Sequence, residues 1–197
     1  GFSHEYINYM LGGSYRASFR PLNDAIMAGR IRGVAAIVGC NNPRSKQDYL
    51  HTYVTEALLK QEVLVVETGC GAIASAKLGL LLGEAGLEKV GPGLREVCET
   101  VGIPPVLHMG SCVDNTRAAS IATAIANKLG VDVSQLPVVA TAPEAAMEKA
   151  VSIGTWAVAM GLPTHVGVVP PVTGSPLVVQ VLTQTAKDLL GGYFIVE

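Results

Sequence analysis

Three cysteines in this chain each follow a short branched-aliphatic run and a glycine, and that repeated arrangement is the strongest constraint on the fold. Residues 31–38 form a compact run that ends at Gly39-Cys40. Residues 63–66 form a second, followed by Thr68-Gly69-Cys70. Residues 103–108 form a third, followed by Gly110-Ser111-Cys112. Pro104 and Pro105 stand at its start, where missing amide donors are tolerated. Helical stretches follow the three runs at 48–60, 72–82 and 115–129, the last closed by Gly130. Two further strands are expected at 136–140 and 165–169, with helices at 143–160, closed by Gly161, and at 177–190, capped by Gly191-Gly192. A short helix is expected at 94–100, while 83–93 reads as a loop.

Strand–loop–helix alternation of this kind predicts an α/β fold, a Rossmann-like, mostly parallel sheet with helices on both faces. Residues 31–197 are expected to form that region, with 1–30 as the end of a preceding helical or linker segment. Within 1–30, Arg20-Pro21-Leu22-Asn23-Asp24 suggests a turn and then a short helix ending near Gly29. The chain opens on Gly1-Phe2-Ser3 and stops inside a strand-like run at 194–197, so a fragment of a longer protein is expected.

Parallel sheets put their chemistry just beyond the carboxyl ends of the strands. Three thiols there would face one crevice from a rigid platform. The glycine ahead of each cysteine lets the backbone turn and approach a bulky ligand. Helix N-termini that follow would favour thiolate and bond to cluster sulfides. Soft thiolates select iron–sulfur clusters, zinc or other thiophilic metals. Three are too few for a cubane held by this segment alone, since four are usual. An open position, a non-standard metal or ligands elsewhere could each complete the set. Cysteines buried as ordinary small residues are the bland alternative. Cys98 suits it, since it falls inside a helical pattern with no glycine turn.

Composition removes other functions. The net charge is −2 with no basic stripe, so nucleic acid binding lacks electrostatic support. The longest apolar runs, such as 63–66 and 166–169, are too short to span a bilayer, and no signal peptide is visible. Nothing indicates secretion, so a cytoplasmic location without disulfides is expected. No Cys-x-x-Cys pair occurs, which removes zinc-ribbon and ferredoxin-type spacings. Thr173-Gly174-Ser175 lacks a following phosphate-loop lysine.

Gly39-Cys40-Asn41-Asn42, Thr68-Gly69-Cys70 and the segment from Pro104 through His108-Met109-Gly110-Ser111-Cys112-Val113-Asp114-Asn115 resemble the signature segments of nickel-containing anaerobic carbon monoxide dehydrogenases, catalytic subunit. The likeness extends to Ala142-Pro143-Glu144, Glu148-Lys149-Ala150 and Pro170-Pro171-Val172-Thr173-Gly174-Ser175. It implies reversible conversion of CO and water to CO2, two electrons and two protons at a NiFe4S4 centre, a NiFe3S4 cubane linked to an extra iron. By motif, Cys40 and Cys70 would bind irons of the cubane and Cys112 nickel. Lys149 would be the active-site lysine, and Ile153 the apolar residue that crowds the nickel pocket. The family's other ligands, additional 4Fe-4S clusters and histidine relay would lie upstream of this chain. The resemblance also implies a ferredoxin-like redox partner and a homodimer.

Without the resemblance, Lys149 reads as a surface lysine beside Glu148, and Ile153 as core packing. His108 reads as a donor behind the site or a satisfied core histidine. His51 and His165 default to structural roles. Three rival functions stand beside the first: a hybrid-cluster-type oxidoreductase without nickel, a non-catalytic electron-transfer or scaffold subunit of an acetyl-CoA-forming complex, and a metabolite-binding domain with incidental thiols.

Overall fold

A computed structural model describes residues 1–11, 21–168 and 171–195. Arg20, residue 169 at the expected end of the fifth strand, Pro170 of the family-like segment, and residues 196–197 of the expected terminal strand-like run lie outside them.

Among the described residues six strands form one sheet: β1 (Gly33–Ile37), β2 (Val63–Glu67), β3 (Val106–His108), β4 (Val138–Ala142), β5 (Pro163–Val166) and β6 (Tyr193–Ile195). Their spatial order is β3-β2-β1-β4-β5-β6, and every neighbouring pair is parallel. The fold is therefore α/β with the doubly wound strand order of a Rossmann sheet. Strand β2 buries Leu64 and Val66 on one face and Val65 on the other, which explains why it reads as a continuous apolar run.

Ten helices accompany the sheet among the described residues. They are α1 (His4–Leu11), α2 (Pro21–Met27), α3 (Tyr49–Lys60), α4 (Cys70–Lys77), α5 (Gly83–Leu87), α6 (Pro92–Val101), α7 (Thr116–Leu129), α8 (Glu148–Ala159), α9 (Pro176–Gln180) and α10 (Ala186–Leu190). A π-helical segment, Val181–Thr185, joins the last two into one helical stretch. The main core unites α1, α2, α3, α6 and α7 with β1 to β3 through residues such as Ile7, Leu22, Leu59, Leu94, Leu107 and Ile121. A second cluster, with Val158, Val166, Ala186 and Phe194, joins α8 and α10 to β5 and β6.

Several boundaries differ from the expected ones. Residues 83–87, expected as loop, form the helix α5, and Gly86 within it lets the chain close on Pro105 and the Leu80 carbonyl. The helix expected from residue 143 begins at Glu148, because Glu144 is fully buried and bonded elsewhere. Strand β4 is displaced towards Ala142, because Asp132 and Gln135 form a reciprocal capping box that turns residues 133–135 into a 3-10 turn. Strand β5 begins at Pro163, two residues before the expected start, paired with β6 at its edge.

Glu67 ends β2 with its carboxyl in the interior. Thr55 of α3 and Ser75 of α4 reach its Oε1 at 2.7 and 2.9 Å. Burial pushes its pKa up to about 7 from an ordinary 4.5. The folded chain then keeps a proton that the unfolded chain releases above pH 4.5. This group's contribution to stability is full below that pH and is lost as pH rises to about 7. The loss amounts to roughly 3 kcal/mol. Glu67→Gln is expected to flatten that slope in urea unfolding measured across the same window. An unchanged slope would contradict the assignment.

Candidate metal centre

The switch point of the sheet lies between β1 and β4, where the strand order reverses. The turns that leave β1, β2 and β3 meet beside it. Three backbone bonds fasten them: Cys70 N–H donates to Gly39 O at 3.2 Å, Gly69 N–H to Gly110 O at 2.9 Å, and Met109 N–H to Glu67 O at 2.8 Å. Cys112 and Cys70 both lie close enough to Cys40 to act on its thiol electrostatically. All four cysteines are free thiols; Cys98 is buried in α6, where burial pushes its pKa up to about 12.

Glycine makes the convergence possible. Gly69 has φ +63° and ψ −133°, which a side chain disfavours. A Cβ there would sit 2.7 Å from Cys112 Cβ and 3.2 Å from Gly39 O. Gly69→Ala is therefore expected to cost about 3 kcal/mol or more, from backbone strain plus overlap. Its unfolding midpoint checks this, and a midpoint at the wild-type value would refute it.

Each cysteine has its own local support. Cys70 is the first residue of α4, whose positive end the thiol shares. Cys112 lies in a turn fixed by Asn115, whose Nδ2 donates to Cys112 O at 2.9 Å while its Oδ1 accepts the Thr68 hydroxyl at 2.9 Å. Cys40 opens the loop to α3. In that loop Asn41 donates to Glu144 Oε2 at 2.9 Å, and Asn42 donates to Ala145 O at 2.6 Å. Glu144 also accepts Leu50 N–H at 2.9 Å, so one buried carboxylate ties the Cys40 loop and the start of α3 to the chain leading into α8.

Lys149 stands in the first turn of α8 and donates from Nζ to Cys112 Sγ at 3.1 Å. A cation in a first turn opposes the helix macrodipole, so the partner must lie outside the helix. That contact, with the other two sulfurs behind it, raises the lysine above its ordinary range. Burial pushes the Cys40 thiol up, against the pull of Lys149. Ile153, one turn beyond Lys149, lines the same largely apolar cavity, which continues past Trp156 and Met160 between α7 and α8.

The histidines take other parts. His108 Nδ1 accepts Gly110 N–H at 3.1 Å and so shapes the turn before Cys112. His165 meets the Thr141 hydroxyl at 2.7 Å. His51 is fully buried and its Nε2 lies 2.9 Å from Cys40 O. From sequence His51 takes only a structural role and Glu144 appears only within a family-like segment, so neither was placed at the site. The available signal for His51 was its place with Thr55 and Leu59 on one buried stripe of α3, two polar residues where apolar ones are usual.

Cys40 and Cys112 line the crevice, which no carboxylate among the described residues lines, and the Cys70 turn is bonded to the Cys40 turn beside it; thiols are soft donors. Among the described residues no three His, Cys, Asp or Glu side chains are grouped to hold one ion. Soft thiol donors suit a metal–sulfur cluster. Further ligands are then required from outside the set.

Fold and side chains thus define a doubly wound α/β domain with a crevice at its switch point lined by Cys40, Cys112 and Lys149. Residues 3–197 match the Prismane/CO dehydrogenase family, and the chain belongs to it. It is 52% identical over 186 residues to a carbon monoxide dehydrogenase of Rhodospirillum rubrum, covering 90% of this chain and 29% of the relative. It is 52% identical over 206 residues to carbon monoxide dehydrogenase 2 of Carboxydothermus hydrogenoformans, covering 100% of this chain and 32% of the relative. The solved structure of carbon monoxide dehydrogenase IV from Carboxydothermus hydrogenoformans superposes with a TM-score of 0.93 at 50% identity, covering 100% of this chain and 32% of that one. A further match is a chain from an acetyl-CoA synthase/carbon monoxide dehydrogenase solved with NiZn[Fe4S4] and NiNi[Fe4S4] clusters in closed and open alpha subunits; it has a TM-score of 0.92 at 48% identity, and the match covers 99% of this chain and 30% of that one. The chain thus spans about three-tenths of the length of these relatives. No helix among the described residues is long and apolar enough to cross a membrane.

Proposed function

We propose that this chain is the part of a carbon monoxide dehydrogenase that supplies Cys40, Cys70 and Cys112 to a NiFe4S4 centre. Cys40 and Cys70 bind its irons and Cys112 its nickel, while the remaining ligands and the additional 4Fe-4S clusters come from other parts of the enzyme. The observation that carries this reading is the contact of 3.1 Å between Lys149 Nζ and Cys112 Sγ at the switch-point crevice that Cys40 also lines.

When bound, such a centre supplies the two-electron chemistry that interconverts CO with water and CO2 with two protons. The chain's own residues shape what happens around it. The three thiolates fix its position on the strand ends. Lys149, kept charged by its sulfur neighbours, turns its ammonium towards the oxygen atoms of CO2 or water and stabilises negative charge that develops there. Ile153 presents an apolar wall that keeps bulk water away, which strengthens the lysine's electrostatic hold. The two electrons then pass to a ferredoxin-like partner, in a homodimeric cytoplasmic enzyme.

The test is CO oxidation by the full-length protein, reconstituted anaerobically with nickel, iron and sulfide and assayed with viologen. Nickel-dependent turnover is expected. Iron uptake without nickel or CO oxidation would instead indicate a hybrid-cluster-type oxidoreductase.

A further inference from the structure

We infer that His51 is a positioning residue that locks Cys40 and Cys70 to one another, through a hydrogen bond to the Cys40 carbonyl and ring contact with the backbone that follows Cys70. The inference rests on the proposed role of these cysteines as cluster ligands.

A carbonyl oxygen can only accept, so the 2.9 Å contact with Cys40 O makes Nε2 the protonated nitrogen of His51. The other ring nitrogen, Nδ1, is buried without a hydrogen-bond partner among the described residues. A residue kept only to fill space would not carry that unsatisfied nitrogen; leucine would fill the same volume without it. The donor to Cys40 is therefore the feature that calls for histidine.

The other side of the ring meets α4. A Cβ on Gly71 would lie 3.2 Å from His51 Nδ1 and 3.6 Å from Cε1, so a side chain there would press the ring back by a few tenths of an ångström. Gly71 is the residue after Cys70, and Cys70 N–H itself bonds to Gly39 O at 3.2 Å. The imidazole is thus wedged between the two cysteine turns, touching one through a hydrogen bond and the other through packing.

The wedge is itself held. Thr55 Oγ1, one turn on, lies 2.8 Å from His51 O and 2.7 Å from Glu67 Oε1. Ser75 Oγ of α4 donates to the same carboxyl oxygen at 2.9 Å. Glu67 thus staples α3 and α4 to the end of β2, and the staple fixes the height of His51 above the sheet. Residues behind a metal ligand set its orientation as firmly as the ligand itself does.

The experiment uses the full-length protein loaded with nickel, iron and sulfide, in four forms: wild type, His51→Gln, His51→Leu and Gly71→Ala. Three quantities are read: metal content, the electron paramagnetic resonance spectrum of the reduced centre, and the unfolding midpoint of the metal-free protein. Gln can place a donor near the Cys40 carbonyl, so His51→Gln is expected to keep the spectrum and most of the metal. His51→Leu is expected to displace the spectrum and weaken metal binding about 10–100-fold, with an unfolding midpoint like that of His51→Gln. Gly71→Ala pushes the ring from the far side and is expected to displace the spectrum as well, which tests the wedge even where His51→Leu does not fold. A wild-type spectrum and metal content in His51→Leu or in Gly71→Ala would overturn the inference. Equal losses in His51→Gln and His51→Leu would overturn it too, by making His51 an ordinary core residue. A wild-type protein that binds neither nickel nor iron would fail at the earlier step, the proposed function itself, and would remove this inference with it.

Discussion

Cys112→Ala in the full-length protein is expected to remove bound nickel and reduce CO oxidation to below about one hundredth of wild type. Residues that merely orient a ligand are worth roughly 10–100-fold, so loss of the ligand itself exceeds that range. The fold should tolerate the change. Cys112 is half-buried in a turn, and the Asn115 bond that shapes this turn goes to its backbone oxygen, which alanine retains. The unfolding midpoint of the metal-free protein should therefore move little, by about 1 kcal/mol or less. Lys149 would lose its sulfur partner at 3.1 Å and return to solvent, which its half-exposed position allows. Nickel content and turnover near wild type would remove Cys112 from the centre.

Lys149→Met is expected to lower turnover by about 10²–10³-fold with little change in metal content. That is the scale on which one lost donor to developing charge acts inside a water-poor site. Methionine retains much of the apolar stem, so packing beside Ile153 is largely preserved while the ammonium is gone. Lys149→Arg should recover only part of the rate, because its planar fork presents its donors differently from a compact ammonium. Metal analysis separates the two outcomes: a variant that loses nickel and activity together would make Lys149 a support for Cys112 and not a partner of the substrate.

The strand ends were legible because β-branched runs followed by Gly-Cys mark where a buried parallel strand stops and the chain turns. Cys40, Cys70 and Cys112 could thus be expected at one edge of a sheet before any order of strands was known. The order itself, with the reversal between β1 and β4, was not legible, since it depends on pairings such as Ala36 with Val66 on one side and Ala140 on the other. Helix α8 illustrates a second limit. Its pattern extends back to residue 143, yet Glu144 leaves it to bond with Asn41 and Leu50, which lie 103 and 94 residues away. Local periodicity carries no trace of such partners. His51 illustrates a third: a lone histidine on a helix most often packs in a core, and its contact with Cys40 arises only when the loop from β1 folds back over α3.

Anomalous diffraction from crystals of the full-length, anaerobically purified protein, recorded at the nickel and iron absorption edges, tests the central claim most directly. Nickel density is expected within bonding distance of Cys112 Sγ, with iron at Cys40 and Cys70 in the same connected cluster. Density for a single zinc, or no metal bonded to any of the three sulfurs, would contradict it.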